Sequence, residues 1–476
     1  MDFQAEVFML REDAPDYQKV IKSVLKKAEH RIKVMELLHE RYQSNRLGVP
    51  IFGRWFKDGN KVNNRVNNDF FSEIVDIKTG YFAGNPFSYL YDRTRDEQEV
   101  ADAQARIDRF TLLNNIADLD SESTKEAAIS GYSARMLYID TDGQERIMLV
   151  PAHEAIFVTE GPISSPEFAM RVFPYETAKG KRRRVEILDA NECLVFIETK
   201  KNFFTLDEGE SYVHPFGVCP LFGVPNNEEL QGDVEKVVAL IDAYDRTLSD
   251  VNSEIESFRL AYMLFKGGVI DEETLREAQR TGAFTVPDEG DISYLVKQMD
   301  DDIVENHLTR LHDNIYRFSK TPDLSDEAFS GNQSGVALKY KLFPLESKCK
   351  SFERKFNSAH MHMFRALVNA WQIKGHTFDP LSYYVEYKRN FPLDTLHEAD
   401  VQAKLKGLVS EVTRLSLASF IDDPQYEIDQ MEQEALDAVL PRVPLTESRS
   451  DQESPQGVPG IEADGSRPRS LEFVTE

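Results

Sequence analysis

From position 233 onward, apolar side chains recur without a break at steps of three and four: Val234, Val237, Ile241, Tyr244, Leu248, Val251, Ile255, Phe258 and Tyr262. A run of this kind is a heptad seam along one long helix. Most helical stability comes from packing an apolar face, so this helix requires neighbours. They come from the same chain or from copies of it. An ordinary core helix and a subunit-interface helix both fit the pattern. A second seam follows at 302–320, through Val304, Leu308, Leu311, Ile315 and Phe318. Between the two lies a small mixed insertion: a strand at 263–266, a helix at 271–280, and strands at 283–286 and 293–296. Two long helices therefore bracket one small α/β unit.

The rest of the chain divides by its periodicity. Residues 16–44 predict an amphipathic helix, with Val20, Val24, Leu25, Ile32, Met35 and Leu38 on its stripe. Further helices are expected at 68–80 and at 96–130, the latter broken near Asn114 and Asn115. From 131 to 224 the pattern turns to short Ile-, Val-, Phe-, Leu- and Tyr-rich runs between turn residues, which reads as an antiparallel sheet region. Asp142-Gly143 between 135–139 and 146–150 is a hairpin signal. The basic run at 179–184 reads as a solvated hairpin tip. After the second seam, 321–334 is a polar loop. A very long helix follows at 335–373, striped by Leu345, Cys349, Phe352, Phe356, Ala359 and Met363, with Pro344 expected to kink it. A strand is predicted at 383–387 and helices at 396–420 and 426–439. Beyond 441, Pro, Ser, Gly and charge dominate and predict disorder.

With 476 residues the chain can hold two to four packed regions. No run approaches the apolar length of a membrane span, and the N-terminus lacks the pattern of a signal peptide. Cys193, Cys219 and Cys349 are scattered, which argues against a disulfide framework and fits a reducing cytoplasm. The net charge is −26, whereas a protein that grips nucleic acid usually presents a basic face. Either DNA is not the partner, or it passes without being held tightly.

Motifs for chemistry are missing. There is no phosphate-cradling glycine loop ending in Gly-Lys-Ser/Thr. His39-Glu40 and His153-Glu154 begin like a zinc-protease helix, but Gln43 and Phe157 stand where the second histidines belong. His360 and His362 would point to different faces of a helix. Gly331, Ser334 and Gly335 lack the spacing of a nucleophile elbow. No acidic set is spaced as a metal-dependent nuclease would need. No cofactor, metal site or catalytic residue is therefore expected.

Three segments carry a resemblance. They are VNNRVNNDFFSEIVDIKTGYFAGNP at 62–86, LIDAYDRTLSD within 232–250, and TPDLSDEAFSGNQSGVALKYKL at 321–342. In order and spacing they resemble the portal proteins of tailed phages, in the branch typical of phages of Gram-positive bacteria. The likeness extends less clearly over 16–439. Ala328 stands before Phe329 where the family commonly has asparagine. The resemblance implies an α+β, predominantly helical subunit of a ring, usually a dodecamer, at one vertex of the capsid. Such rings serve genome packaging, head–tail joining and DNA ejection. It implies a wing (1–232), stem helices (233–262 and 302–320) with a clip between them (263–301), and a tunnel loop (321–333). A kinked helix with a wing strand (334–395), a crown (396–440) and a tail (441–476) complete it. Partners implied are copies of the chain, terminase, head-completion or adaptor proteins, capsid and scaffolding proteins, and translocating double-stranded DNA, but no membrane. The protein would reside in the virion, and in the host cytoplasm during assembly. Within the loop, Asp323, Ser325, Asp326, Phe329, Asn332 and Gln333 are the candidate channel residues. A DNA-processing enzyme with an unrecognised site, such as a nuclease or remodelling factor, is the alternative. An acidic scaffold unrelated to DNA is the third.

Overall fold

The computed structural model describes residues 2–55, 62–177, 180–258, 262–266, 272–281, 291–295, 301–325, 335–390, 395–418, 421 and 424–439. The fold is mixed, with more helix than strand. Two compact units divide it, Met1–His397 and Glu398–Glu476.

The first unit opens with α1 (Gln4–Leu10) and α2 (Tyr17–Tyr42), the latter capped by Asp16, whose side chain accepts from the Lys19 amide. Val20, Val24, Met35 and Leu38 of the expected stripe are buried, and Leu25 and Ile32 pack beside them. Next come α3 (Phe70–Ala83), β1 (Ser88–Tyr91), α4 (Glu97–Asn114) and α5 (Ile116–Ser130). The break between α4 and α5 falls at Asn115, which sits in the left-handed region at φ 46°. Asparagine tolerates that conformation better than most residues. Gly131 ends α5 at φ 89°, where a side chain would collide with the Leu230 carbonyl.

The sheet region forms two separate antiparallel sheets. The three-stranded one has the order β10 (Leu221–Pro225), β2 (Tyr132–Ile139), β3 (Glu145–Val150). Its β2–β3 turn closes at Asp140–Gln144 with Gly143 at φ 71°. The six-stranded one runs β4 (Ala155–Val158), β5 (Phe168–Thr177), β6 (Gly180–Leu188), β7 (Glu192–Lys200), β8 (Phe203–Leu206), with β9 (Tyr212–Val213) also on β7. Of the basic run, Lys179 lies outside the described residues and Lys181 is exposed beside the β5–β6 turn, as expected of a tip. Arg183 and Arg184, however, lie within β6, where Arg183 binds Glu198 of β7 at 2.8 Å and Arg184 binds Glu186, two residues along its own strand, at 2.9 Å.

α6 (Val238–Phe258) and α8 (Asp301–Ser319) are the two seamed helices. Between them lie β11 (Tyr262–Lys266), α7 (Glu272–Thr281) and β12 (Asp291–Leu295), with β11 and β12 paired antiparallel from Tyr262↔Leu295. The strand expected at 283–286 lies outside the described residues. α9 (Gly335–Ile373) contains Pro344. Its six stripe residues, Leu345 to Met363, are at most 1% exposed and form the centre of the largest core, with Phe82, Phe87 and Phe222. β13 (Tyr383–Glu386) pairs with β1.

The helix expected at 396–420 is broken in two: α10 (Thr395–Leu405) and α11 (Glu411–Ser416). Gly407 takes φ 79° between them, and the Ser410 side chain accepts from the Thr413 amide to start α11 afresh. α12 (Pro424–Val439) follows. The expectation of disorder beyond 441 lies outside the described residues.

Candidate functional site

The two seamed helices run antiparallel. Phe70 shows this, since its ring meets Tyr244, early in α6, and both His312 and Tyr316, late in α8. At this end the seam residues are buried apart from Phe318, which is 54% exposed. Val234 and Val237 are fully buried, Ile241 is 4% exposed and Ile315 is fully buried. Toward the insertion the cover fades. Leu248 and Val251 are half-buried, while Ile255 is 55% and Ile303 66% exposed. The apolar stripe continues along α6, but its cover within one chain stops partway.

What the chain does bury along α6 is a polar stripe. Residues 62–69 run extended and antiparallel beside it. The amides of Asn68, Val66 and Asn64 donate to Asp245 Oδ1 at 2.9 Å, Ser249 Oγ at 2.9 Å and Ser253 Oγ at 3.0 Å. Asn68 Nδ2 adds a second bond to Asp245 Oδ1 at 2.9 Å, and Asn64 Nδ2 one to Glu256 at 2.9 Å. The match is geometric. Two residues of extended chain advance roughly 6.6 Å. Four residues of helix advance about 6 Å. Alternate amides of the strap therefore meet successive turns of the helix. Burial pushes the Asp245 carboxyl up, against the two Asn68 hydrogen bonds. α2 holds the start of α6 from another side, through Arg31–Glu235 at 2.8 Å and a two-bond Arg41–Asp242 pair at 2.9 and 3.0 Å.

Where α6 begins and α8 ends, charge is buried. Asp233 Oδ2 lies 3.1 Å from Lys78 Nζ and 3.4 Å from Lys348 Nζ. Asn226 Nδ2 donates to Asp233 Oδ1 at 2.9 Å, Lys78 donates to Asn226 Oδ1, and the Lys78 ammonium stands 4.3 Å over the Phe352 ring. Lys348 also donates to the Ser319 carbonyl at 3.1 Å. Burial opposes the Asp233 charge, but Lys348 and Lys78 overcome it and bring the carboxyl down to about 2. Burial lowers Lys348 against the pull of Asp233. Lys348, at the last carbonyl of α8, complements the dipole of that helix.

The segment after α8 begins with a helix stop. Lys320 takes φ 60°, and the Thr321 amide donates back to the Tyr316 carbonyl at 3.2 Å. That is a Schellman closure with lysine where glycine is usual. Of the expected channel residues, the structure places two. Asp323 Oδ1 accepts from the Ser325 amide at 2.9 Å and its hydroxyl at 2.6 Å, while Oδ2 lies 3.7 Å from His312 Nε2. Both therefore belong to one local turn at the foot of the segment. Asp326, Phe329, Asn332 and Gln333 lie outside the described residues.

Sequence reasoning missed the charge cluster because Lys78, Asp233 and Lys348 sit on three distant elements. The polar stripe on α6 did leave a signal: Asp245, Ser249 and Ser253 repeat every four residues beside the apolar seam. Among the described residues no group of His, Cys, Asp and Glu could hold a metal ion, and no helix is long and apolar enough to cross a membrane. Arg135 and Asp120, 2.7 Å apart with Tyr89 and His360, form a second buried polar cluster.

These features describe a structural subunit, built from long helices that a single chain does not finish covering. The family described as Phage portal protein, SPP1 Gp6-like, matches residues 21–439. The portal protein of Bacillus phage SPP1 is 24% identical over 401 residues, covering 80% of this chain and 78% of that one. The portal protein of Clostridium phage phiCD119 is 23% identical over 435 residues, covering 86% of this chain and 94% of that one. The chain belongs to this family of phage portal proteins, as the three sequence segments implied.

Proposed function

We propose that copies of this chain form a closed ring, a dodecamer in the virion, around an axial channel for duplex DNA. One observation of the subunit supports the ring: the apolar stripe on α6 continues past the point where the chain covers it, from Leu248 to Ile255, and Ile303, beside the α8 stripe, is exposed as well. Neighbouring copies would complete the cover. Residues 1–232 are the wing, α6 and α8 the stem, and 263–301 the clip that meets terminase and later the head-completion proteins. Residues 321–333 line the channel, 334–395 return along the wing, and 396–440 form the crown. Capsid and scaffolding proteins surround the ring at its vertex. DNA passes in during packaging and out during ejection. The protein does no chemistry itself.

The charge favours passage over grip. With −26 overall, and 7 Lys plus Arg against 18 Asp plus Glu over 391–476, the chain releases few counter-ions from a passing duplex. Native mass spectrometry is expected to give one high, narrow subunit number. A monomer persisting at micromolar concentration overturns the ring. For the channel residues, Asp326→Lys is the cleaner probe, since Asp323 also holds the local turn. Mutant rings that assemble and package as wild type remove 321–333 from the channel.

A further inference from the structure

Lys348 differs from Lys78 in what it holds. The Lys78–Asp233 pair is balanced in charge without it. Lys348 is surplus, and its ammonium is held by the last carbonyl of α8 as well as by Asp233. Two unfavourable features sit at that same helix end. Lys320 occupies the left-handed region at φ 60°, which side chains with a Cβ avoid. Thr321 is 4% exposed, and its Oγ1 has no hydrogen-bond partner among the described residues. A buried hydroxyl without a partner is costly. One turn upstream the helix is firmly fixed, because the Tyr316 hydroxyl donates to Glu73 at 2.6 Å and Ile315 is fully buried.

We propose that the last turn of α8, Arg317 to Thr321, is a latch with two states, and that Lys348 sets the balance between them. In the closed state, described above, Lys348 holds the Ser319 carbonyl. In the open state that turn unwinds below Tyr316. Lys320 leaves the left-handed region, the Thr321 hydroxyl reaches water, and Lys348 keeps only Asp233. The connection from α8 to α9 then gains about four residues, roughly one helical turn. The latch itself stands on this geometry. Only its purpose, to change the reach of the segment at 321–333, rests on the channel reading.

Hydrogen exchange on assembled full-length rings tests it. Lys348→Met keeps the stem length of the side chain and leaves the Lys78–Asp233 pair intact. The amides of 317–321 are expected to exchange about ten- to a hundredfold faster, as loss of a hydrogen bond to a charged group implies. The amides of 308–315 should be unchanged. A folded Lys348→Met ring with wild-type exchange at 317–321 overturns the latch. If that variant does not assemble, Thr321→Val decides. Removing the unpaired hydroxyl should slow exchange of the same amides about fivefold or more, and no slowing overturns the latch. A packaging assay separates the two readings. Altered exchange with altered packaging supports both, whereas altered exchange with wild-type packaging keeps the latch and removes 321–333 from the channel.

Discussion

α9 and the α6–α8 pair carry equally regular apolar stripes, yet the chain treats them in opposite ways. Around α9 every stripe residue from Leu345 to Met363 is covered, and aromatic rings from α3, β1 and β10 interlock with it. Along α6 the cover runs out between Ile241 and Ile255. Periodicity states that a face will be buried. It does not state by whom. Where the core is complete, the chain has placed its buried charges in closed sets, such as Arg135 with Asp120. Where it is incomplete, it has bound the helix by polar contacts on another side and left the apolar side open.

The contrast sharpens most under Asp120→Ala. It strands the fully buried Arg135 guanidinium and is expected to cost the subunit about 3–5 kcal/mol in urea unfolding. Phe356→Ala removes the ring beneath that guanidinium, 4.6 Å away, and should cost about 3–5 kcal/mol by the same measurement. On α6, Ser249→Ala deprives the Val66 amide of its acceptor. About 1–3 kcal/mol is expected, with exchange quickening at 62–68. A wild-type urea midpoint for that variant would mean the strap does not hold α6.

Acid should separate the two regions by pH. Burial depresses His360 and His362 of α9, and His214, below the ordinary 6.5. The unfolded chain then binds protons that the folded chain refuses. Stability is therefore full above 6.5 and declines as pH falls, by up to about 1.4 kcal/mol per unit per histidine. Asp233 behaves as a depressed carboxylate, and its contribution persists until pH drops from 3.8 toward about 2. His362→Gln should flatten the first decline and leave the second, read from urea midpoints against pH. The smallest effect is expected at the open end. Ile255→Ser or Ile303→Ser should change subunit stability by less than about 0.5 kcal/mol while lowering ring yield in native mass spectrometry. Equal loss in subunit and ring would show that the subunit already covers that face.

The long helices and the hairpin were legible because each depends on neighbours in sequence. α9 spans the expected 335–373, well past both ends of its stripe, and Asn115 marked the break between α4 and α5 by its own conformational tolerance. Residues 396–420 were less legible because the apolar spacing passes through Gly407, whose turn and the Ser410 cap outweigh it locally. Arg183 read as solvated because Glu198 faces it only once β6 and β7 pair, whereas Glu186, two residues from Arg184 on one strand face, was a signal within the sequence itself. The charge cluster was illegible for the same reason, on a longer scale. Two of the three segments that carried the family resemblance turn out to be the strap and the helix it grips, a relation that no spacing within either segment encodes.

The strap also has a topological consequence. It ties residues 64–68 to residues 245–253, and the chain between them, both large sheets included, departs from and comes back to that fastening. The intervening chain is a closed excursion. A hairpin lengthened at β5–β6 or a turn rebuilt at β7–β8 alters the outline of the sheet region without moving α6, provided the fastening keeps its register. An insertion of a single residue inside 64–68 is different in kind. It puts the amides on its two sides out of register with Asp245, Ser249 and Ser253, so this short stretch has little freedom to change in length.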